Sequence, residues 1–251
     1  MNDNAAPGLY IVTGSSRGLG AALVDQLVKQ GHVVLGIARH ALGVQPPGAT
    51  FTEWALNLAD PVPAAARLGD WLAKRSSDRF ASANLVNNAG VLSRMGPIDD
   101  TTSEDLANAL RVGLEAPLLL SAAFLRATRT WPVPRRVLNI SSGLGRRAMA
   151  GSASYCAAKA GLDHFTRCTA LDEAERPNSA RIVSLAPGVI DTDMQADLRG
   201  SNPQGFPDRD NFLRMKSDGR LVSPHDTATQ VLAFLHRPDF GENVIADVRT
   251  D

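Results

Sequence analysis

Short apolar runs alternate with longer segments of helical periodicity along almost the whole chain. The runs are rich in β-branched residues and predict about seven buried strands. They are GLYIVTG, HVVLGIAR, ATFTEWALNL, ANLVNNAG, RRVLNISS, ARIVSLAPG and NVIADV. Strands that alternate with helices are typical of an α/β fold, in which a parallel sheet carries helices on both faces. Because crossovers between parallel strands are right-handed, we expect a doubly wound sheet.

The polar residues between these runs mark the helix ends. Ser103 has the residue type of an N-cap and predicts a helix that continues to about Thr128. Ser223, which precedes a proline, predicts the start of the last helix. Residues 191–222 are polar, hold several glycines and prolines, and predict one long irregular stretch. Since no linker or repeat divides the chain, we expect residues 1–251 to form a single domain with this stretch as an insertion.

Composition excludes several classes of function. The 26 basic and 26 acidic residues cancel, so we expect no nucleic-acid-binding face and no basic membrane patch. No apolar run approaches the roughly 18 residues that span a bilayer, and no secretion signal opens the chain. Cys156 and Cys168 lie too far apart on one predicted helix to pair, and the five histidines lack metal-ligand spacing. These patterns predict a cytoplasmic protein without a metal.

The segment TGSSRGLG joins the first predicted strand to the first predicted helix. Its glycines, Gly14, Gly18 and Gly20, allow a tight turn and let the backbone approach a phosphate group. The helix that follows presents free N–H groups and a partial positive charge at its N-terminus. This arrangement favours the phosphates of a nucleotide.

Four motifs together resemble the short-chain dehydrogenase/reductase family. They are Gly-x-x-x-Gly-x-Gly in the glycine turn, NNAG at 87–90, SYCAAK at 154–159 and APGVIDT at 186–192. Their order along the chain is that of the family. The resemblance implies a Rossmann-type domain, a nicotinamide cofactor and an oxidoreductase. The segment around SYCAAK, together with DTDMQ and GRLVSP, is similar to the sepiapterin reductase branch and especially to its bacterial benzil reductases.

The end of the second strand indicates which nicotinamide cofactor binds. An acidic residue there would bind the ribose hydroxyls of NAD, but this chain has Arg39, and Arg17 lies in the glycine turn. Two guanidinium groups suit a 2′-phosphate, so we expect NADP(H), although two solvated surface arginines would give the same pattern. The resemblance implies cofactor contacts from the following residues. They are Gly14, Ser16, Arg17, Gly18, Leu19, Gly20, Arg39, Asn57, Leu58, Asn88, Ala89, Gly90, Val112, Tyr155, Lys159, Pro187, Gly188, Val189 and Thr192.

Tyr155 and Lys159 are four residues apart and share one face of a predicted helix. A nearby ammonium group favours the phenolate, so we expect Lys159 to lower the pKa of Tyr155 from its usual value of about 10. In the family that the chain resembles, Ser142 would hold the substrate carbonyl oxygen, Tyr155 would supply the proton, and Lys159 would also bind the nicotinamide ribose. The alternative is an ordinary Tyr and Lys on a helix surface.

Gly113 stands where the family usually has an asparagine whose main-chain carbonyl holds a relay water. Pro117, four residues later, has no N–H and cannot bond to the carbonyl of Gly113 in a helix. We hypothesise that the two residues together leave that carbonyl free. The alternative is a weakened relay and a slower enzyme.

The branch that the chain resembles acts on vicinal dicarbonyls, such as an aromatic 1,2-diketone or a pterin side-chain diketone. Residues 191–222 would cover such a substrate, unless their apolar side chains only pack this segment onto the body. The candidates for an apolar wall are Leu144, Met149, Val189, Met194, Leu198, Phe206, Phe212 and Met215. Asp247 and Asp251 are candidates for a pterin anchor. The ending NVIADVRTD lacks the Val-Asp-Gly-Gly pattern of many 3-oxoacyl reductases, which argues against a role in fatty-acid metabolism.

Two other functions stay open at the sequence level. One is a non-catalytic NADP(H)-binding sensor or scaffold, and the other is an NADP-dependent secondary alcohol dehydrogenase. The family also implies a homodimer through the fourth and fifth helical segments, or a tetramer built from such dimers.

Overall fold

A computed structural model describes residues 6–40 and 50–250. Seven strands of this part form one parallel sheet in the order β3-β2-β1-β4-β5-β6-β7. The strands are β1 (Gly8–Thr13), β2 (Val33–Ala38), β3 (Phe51–Ala55), β4 (Ser82–Asn87), β5 (Arg135–Ile140), β6 (Arg181–Ala186) and β7 (Ile245–Asp247). The prediction of a doubly wound parallel sheet is confirmed.

Helices cover both faces of this sheet. They are α1 (Gly18–Lys29), α2 (Pro61–Ala73), α3 (Ser103–Leu110), α4 (Ala116–Ala127), α5 (Ala153–Ala174), α6 (Asp193–Gly200), α7 (Arg209–Ser217) and α8 (Pro224–Leu235). On one face α2 packs against α4, and on the other α1 packs against α8. Since the central strands are covered on both faces, burial is nearly continuous along them rather than alternating.

The helix predicted from Ser103 differs in two details from the prediction. Thr102 is the N-cap, because its hydroxyl accepts a hydrogen bond from the backbone N–H of Asp105, and Ser103 is the first helical residue. The helix is also not uniform, since a π-helical turn (Arg111–Glu115) separates α3 from α4. The proline at the start of α4 lies just after this wide turn.

The continuous helical stretch Ser103–Ala127 is long and apolar enough to cross a bilayer, which the sequence reading had not expected. However, 56% of its most apolar window is buried inside the protein, as in the core helix of a globular domain. Length and composition are therefore weak evidence for a membrane span here.

The segment 191–222 is not the irregular stretch that its polar composition predicts, because it contains α6 and α7. Apolar side chains from this segment pack onto residues of the body in a separate small core. This core is formed by Met95, Leu144, Met149, Leu198, Phe206 and Phe212. We call residues 191–222 the lid.

The sheet brings the predicted motifs to one edge. The glycine turn follows β1, the NNAG motif ends β4, Ser142 follows β5 and Pro187 follows β6. Because all strands are parallel, these carboxyl ends lie side by side. The strand order reverses between β1 and β4, and such a switch point opens a crevice at this edge.

Candidate active site

The glycine turn has the backbone shape that only glycine adopts readily. Gly14 and Gly18 have φ angles of 67° and 54°, in the left-handed region. A Cβ atom on Gly20 would lie 2.0 Å from the carbonyl oxygen of Gly14, so the turn closes tightly on α1. The N-cap of α1, Arg17, makes no side-chain capping bond, and the first turn holds no acidic residue. These features fit the phosphates of a dinucleotide.

Arg17 and Arg39 are both exposed, on segments that lie side by side. The backbone N–H of Gly14 donates to the carbonyl of Ile37 at 2.8 Å, which sets the end of β2 against the glycine turn. Arg17 forms an ion pair with Asp193, the first residue of α6, at 3.1 Å. The segments that carry the two arginines are therefore adjacent, and Arg17 also connects the glycine turn to the lid.

The other predicted cofactor residues fall into two groups. Leu19, Leu58, Val112 and Pro187 are buried, and the side chain of Leu58 belongs to the core beneath the sheet edge, so any cofactor contact from Leu58 would come from its main chain. The remaining residues are half-buried or exposed along the crevice: Ser16, Asn57, Ala89, Gly90, Gly188, Val189 and Thr192.

Asn88 joins two strand ends at the switch point. Its side-chain amide donates to the carbonyl of Thr13 at 3.0 Å, and its backbone N–H donates to the Thr13 hydroxyl at 3.0 Å. The backbone N–H of Ala89 donates to that hydroxyl as well. Asn88 thus holds β4 against the glycine turn, which keeps the floor of the crevice in place.

Ser142, Tyr155 and Lys159 meet at the ends of β5 and α5. The Ser142 side chain lies beside the Tyr155 phenol and acts to lower its pKa. Lys159 Nζ lies 5.7 Å from the centre of the Tyr155 ring and donates to the carbonyl of Ile140 at 2.7 Å. A Cβ atom on Gly90 would lie 3.8 Å from Nζ, so the ammonium also faces the NNAG motif. The three side chains that the sequence singled out are therefore neighbours.

The pKa of Tyr155 differs from the value expected from its spacing to Lys159. Burial raises the pKa of Tyr155 to about 12, and the neighbouring Ser142 hydroxyl opposes that rise only in part. Burial lowers the pKa of Lys159 to about 8, while Asp163 acts in the opposite direction. The expectation that Lys159 lowers the pKa of Tyr155 below its usual value is wrong for this structure, because desolvation of the phenol is the larger effect.

Gly113 lies in the π-helical turn and faces α5. A Cβ atom on Gly113 would lie 3.0 Å from the Cβ of Ala158, one residue before Lys159. The absence of a side chain therefore lets the turn approach α5 closely. The wide turn also ends next to Pro117, which lacks an N–H for the carbonyl of Gly113.

The predicted substrate wall is mostly engaged in packing the lid. Leu144, Met149, Phe206 and Phe212 are buried against one another, and the Tyr155 ring packs against the same cluster. Met194 is half-buried in the first turn of α6. The apolar lid core thus borders the phenol directly.

The chain's C-terminal segment also reaches this edge. Asp247 ends β7 and forms an ion pair with Arg249, whose side chain passes 3.7 Å from the Cβ position of Gly188. Asp251, the second candidate for a pterin anchor, lies outside the described residues.

Sequence reasoning missed Asp163, a buried carboxylate one turn after Lys159. It also missed the side chains that bind Asp163, which are Ser141, Ser184 and Arg146. An acidic residue four positions after the lysine on a helix was the one available signal.

Comparison with known proteins supports this geometry. The family model described as short chain dehydrogenase matches residues 9–203. The benzil reductase ((S)-benzoin forming) of Bacillus cereus is 33% identical over 94% of this chain and 96% of its own length. The sepiapterin reductase of Meriones unguiculatus is 30% identical, covering 94% of both chains. The 3-oxoacyl-[acyl-carrier-protein] reductase of Vibrio cholerae is 33% identical over 91% of this chain and 89% of its own length.

A solved structure with the same fold carries a nicotinamide dinucleotide. It is a putative NAD(P) dependent gluconate 5-dehydrogenase from Beutenbergia cavernae with bound NADP. It has 25% sequence identity and a TM-score of 0.80, and the match covers 97% of this chain and 95% of that one.

Proposed function

Because the chain belongs to the short-chain dehydrogenase family and is an oxidoreductase, we propose that it is an NADPH-dependent carbonyl reductase acting on vicinal dicarbonyls. The observation that carries the proposal is the group of Ser142, Tyr155 and Lys159 at one sheet edge, beside a glycine turn flanked by two arginines. The similarity to benzil and sepiapterin reductases supports the choice of substrate class.

Each catalytic side chain has a distinct task in this proposal. The hydroxyl groups of Ser142 and Tyr155 donate hydrogen bonds to the substrate carbonyl oxygen and hold it over the crevice. When bound, the cofactor supplies a hydride to the carbonyl carbon. The negative charge that develops on the oxygen is stabilised by the two hydroxyl groups, and Tyr155 then transfers its proton to that oxygen. Lys159 carries the positive charge that stabilises the phenolate left behind.

Reduction is the favoured direction because the arginines suit NADP(H), which cells usually keep reduced. Burial raises the pKa of Tyr155 to about 12, so the phenol is protonated at neutral pH, as the proton donor must be. The secondary alcohol dehydrogenase is therefore the second candidate.

A proton has to return to Tyr155 before the next turnover. We infer that the carbonyl of Gly113 takes part in this relay through a bound water, because Pro117 leaves it without the usual helical donor. The turn packs closely on α5 at Ala158, the residue before Lys159.

The preference for NADPH rests on charge. Arg17 and Arg39 would bind the 2′-phosphate with forked, charge-assisted hydrogen bonds, and Asn57 would lie beside the adenine without adding a negative charge. An acidic side chain in the place of Arg39 would instead repel that phosphate.

The lid supplies the substrate preference in this proposal. Its core of leucine, methionine and phenylalanine borders Tyr155, and methionine adapts to ligands of different shape. An aromatic or aliphatic diketone fits such a surface better than a polar pterin. A non-catalytic NADP(H)-binding sensor is the other candidate, and the complete set of Ser142, Tyr155 and Lys159 favours the enzyme.

We also propose that two copies pair through α4 and α5, either as a homodimer or within a tetramer. Leu118 on α4 and Leu171 on α5 are exposed, at 38% and 71% of their surface. Light scattering coupled to size-exclusion chromatography would measure the mass of the particle, and a monomer would contradict the pairing.

We propose a cytoplasmic location as well. Both cysteines are unpaired, which fits a reducing compartment.

The central test measures oxidation of NADPH and NADH against benzil, sepiapterin, an aliphatic diketone and a 3-oxoacyl thioester. We expect turnover with NADPH and a dicarbonyl, and a loss of about 10²–10⁴-fold in Tyr155→Phe, which cannot donate the proton. Tyr10→Phe is a control for loss of a tyrosine hydroxyl away from this edge. Tight NADPH binding with no turnover on any substrate would favour the sensor, and preference for the thioester would favour a 3-oxoacyl reductase.

A further inference from the structure

Asp163 is a buried carboxylate on α5, one turn after Lys159, with 2% of its side chain exposed. Oδ1 accepts hydrogen bonds from the hydroxyl groups of Ser141 and Ser184, each at 2.6 Å. Oδ2 faces Nε of Arg146 at 3.5 Å. A buried charge is costly unless it is paired and hydrogen-bonded. Oδ1 has both hydrogen bonds, whereas the buried Oδ2 has the Arg146 ion pair and no hydrogen bond from the described residues.

The partners of Asp163 come from the segments that form the active-site edge. Ser141 directly precedes Ser142, and Arg146 follows the short 3₁₀ turn that begins after Ser142. Arg146 also donates to the carbonyl of Ala246 at 2.8 Å, so the same side chain reaches β7. Ser184 lies in β6, the strand that leads to the APGVIDT motif. Asp163 itself lies on α5, with Tyr155 and Lys159.

We propose that Asp163 is a positioning residue for the reaction. Its carboxylate fastens the strand end that carries Ser142 to the helix that carries Tyr155 and Lys159, and it supplies a negative charge that balances the buried Lys159 ammonium. The catalytic part of this proposal rests on the function proposed above for Lys159.

The charges around Lys159 make the proposal testable. Lys159 is 4% exposed, and burial lowers its pKa to about 8 while the charge of Asp163 opposes the change. The neighbouring titratable or charged side chains are Tyr155 and Cys156 on α5, and Arg146 from the β5–α5 connection. Arg146 offsets part of the charge of Asp163. Replacing Asp163 by a neutral residue should therefore lower the pKa of Lys159, and replacing Arg146 by a neutral residue should raise it.

A direct test follows Lys159 by NMR in protein labelled with ¹³C-lysine. The chain has four lysines, Lys29, Lys74, Lys159 and Lys216, and the variant Lys159→Arg identifies the signal of interest. Asp163→Asn keeps the size of the side chain and an acceptor for the two serines but removes the charge. We expect it to lower the titration midpoint of Lys159 by about one pH unit, and we expect Arg146→Gln to raise the midpoint.

The pH profile of kcat/KM gives a second readout that loss of packing alone would not move. Its alkaline limb, where Lys159 loses its charge, should shift to lower pH in Asp163→Asn and to higher pH in Arg146→Gln. Ser141→Ala should lower kcat/KM at every pH without moving the midpoint of Lys159, because the carboxylate stays in place while the strand end loses its bond.

Three results would overturn the proposal. They are an unchanged Lys159 midpoint in folded Asp163→Asn, shifts of the same sign in the Asp163 and Arg146 variants, and full activity in Ser141→Ala. The NMR titration needs no substrate. If the wild-type protein reduced no dicarbonyl, the proposed function would fail while the role of Asp163 as a counter-charge would still be decided.

Discussion

Gly113 faces Ala158 where the π-helical turn packs against α5. A Cβ at position 113 would lie 3.0 Å from the Cβ of Ala158, so any side chain there must push the two segments apart. We predict that Gly113→Asn lowers the free energy of unfolding by about 1–3 kcal/mol, as overpacking commonly does. We also predict that it does not raise turnover, although Asn is the residue that the family usually has here.

Ala158→Gly provides the matched control for this prediction, because it removes the methyl group that the new side chain meets. The double variant should recover part of the stability that Gly113→Asn loses, and a double-mutant cycle from urea denaturation measures that coupling. A rise in turnover of more than a few-fold in Gly113→Asn alone would contradict the idea that Gly113 and Pro117 together replace the usual asparagine.

Single residues of the site were predictable where the chemistry follows from spacing along the chain. Tyr155 and Lys159 share a helix face at a spacing of four, and the glycines of the turn need no tertiary information. The partners of Asp163 come from β5, β6 and a connecting turn, so no local pattern shows them. The direction of the pKa shift of Tyr155 was missed for the same reason, since burial depends on the whole fold.

Among the elements, the strands were the most predictable because most of them are continuously buried, while the edge strand β3 alternates between buried and exposed positions. The lid helices were not, because their sequences carry no apolar stripe. Phe212 is the one buried residue of α7, and α6 buries only Gln195 and Leu198. These helices are held by a few anchors in the lid core rather than by a periodic face. The π-helical turn likewise interrupts a sequence whose helical periodicity looks continuous.

An exposed ion pair, Arg17 with Asp193, joins the glycine turn to the lid. If Arg17 binds the 2′-phosphate, Asp193 competes for the same guanidinium group. We predict that Asp193→Asn tightens NADPH binding by about two- to five-fold, the range expected for an exposed ion pair, and leaves NADH binding nearly unchanged. Fluorescence titration with both cofactors measures the two dissociation constants.

Asp197, an exposed acidic residue further along α6, offers a control for loss of one negative charge from the lid. Asp197→Asn should change the dissociation constants of NADPH and NADH by the same factor. An equal effect of Asp193→Asn on the two cofactors would show that Arg17 does not discriminate between them, and the preference would then rest on Arg39.

At the scale of the whole molecule, the sheet has a titratable group at the end opposite the active site. The Tyr10 hydroxyl bonds to Nε2 of His236 at 2.6 Å, and its ring lies 4.9 Å from that of His32. The backbone N–H of Gly8 donates to Nδ1 of His32, which must therefore be unprotonated at that nitrogen. Burial lowers the pKa of both histidines, and Arg136 further lowers that of His236.

These pKa shifts predict that the protein becomes less stable as the pH falls. A histidine whose pKa is lowered on folding binds protons more readily in the unfolded chain, so its contribution to stability is present above its usual pKa of 6.5 and is lost as the pH falls through and below that value. Urea denaturation between pH 8 and pH 5 should show a falling midpoint in the wild-type protein. The double variant His32→Gln, His236→Gln should show a smaller fall, because neither side chain gains a proton. His225→Gln, at an exposed histidine, should behave like the wild type, and an equal pH dependence in all three proteins would exclude this cluster as the cause.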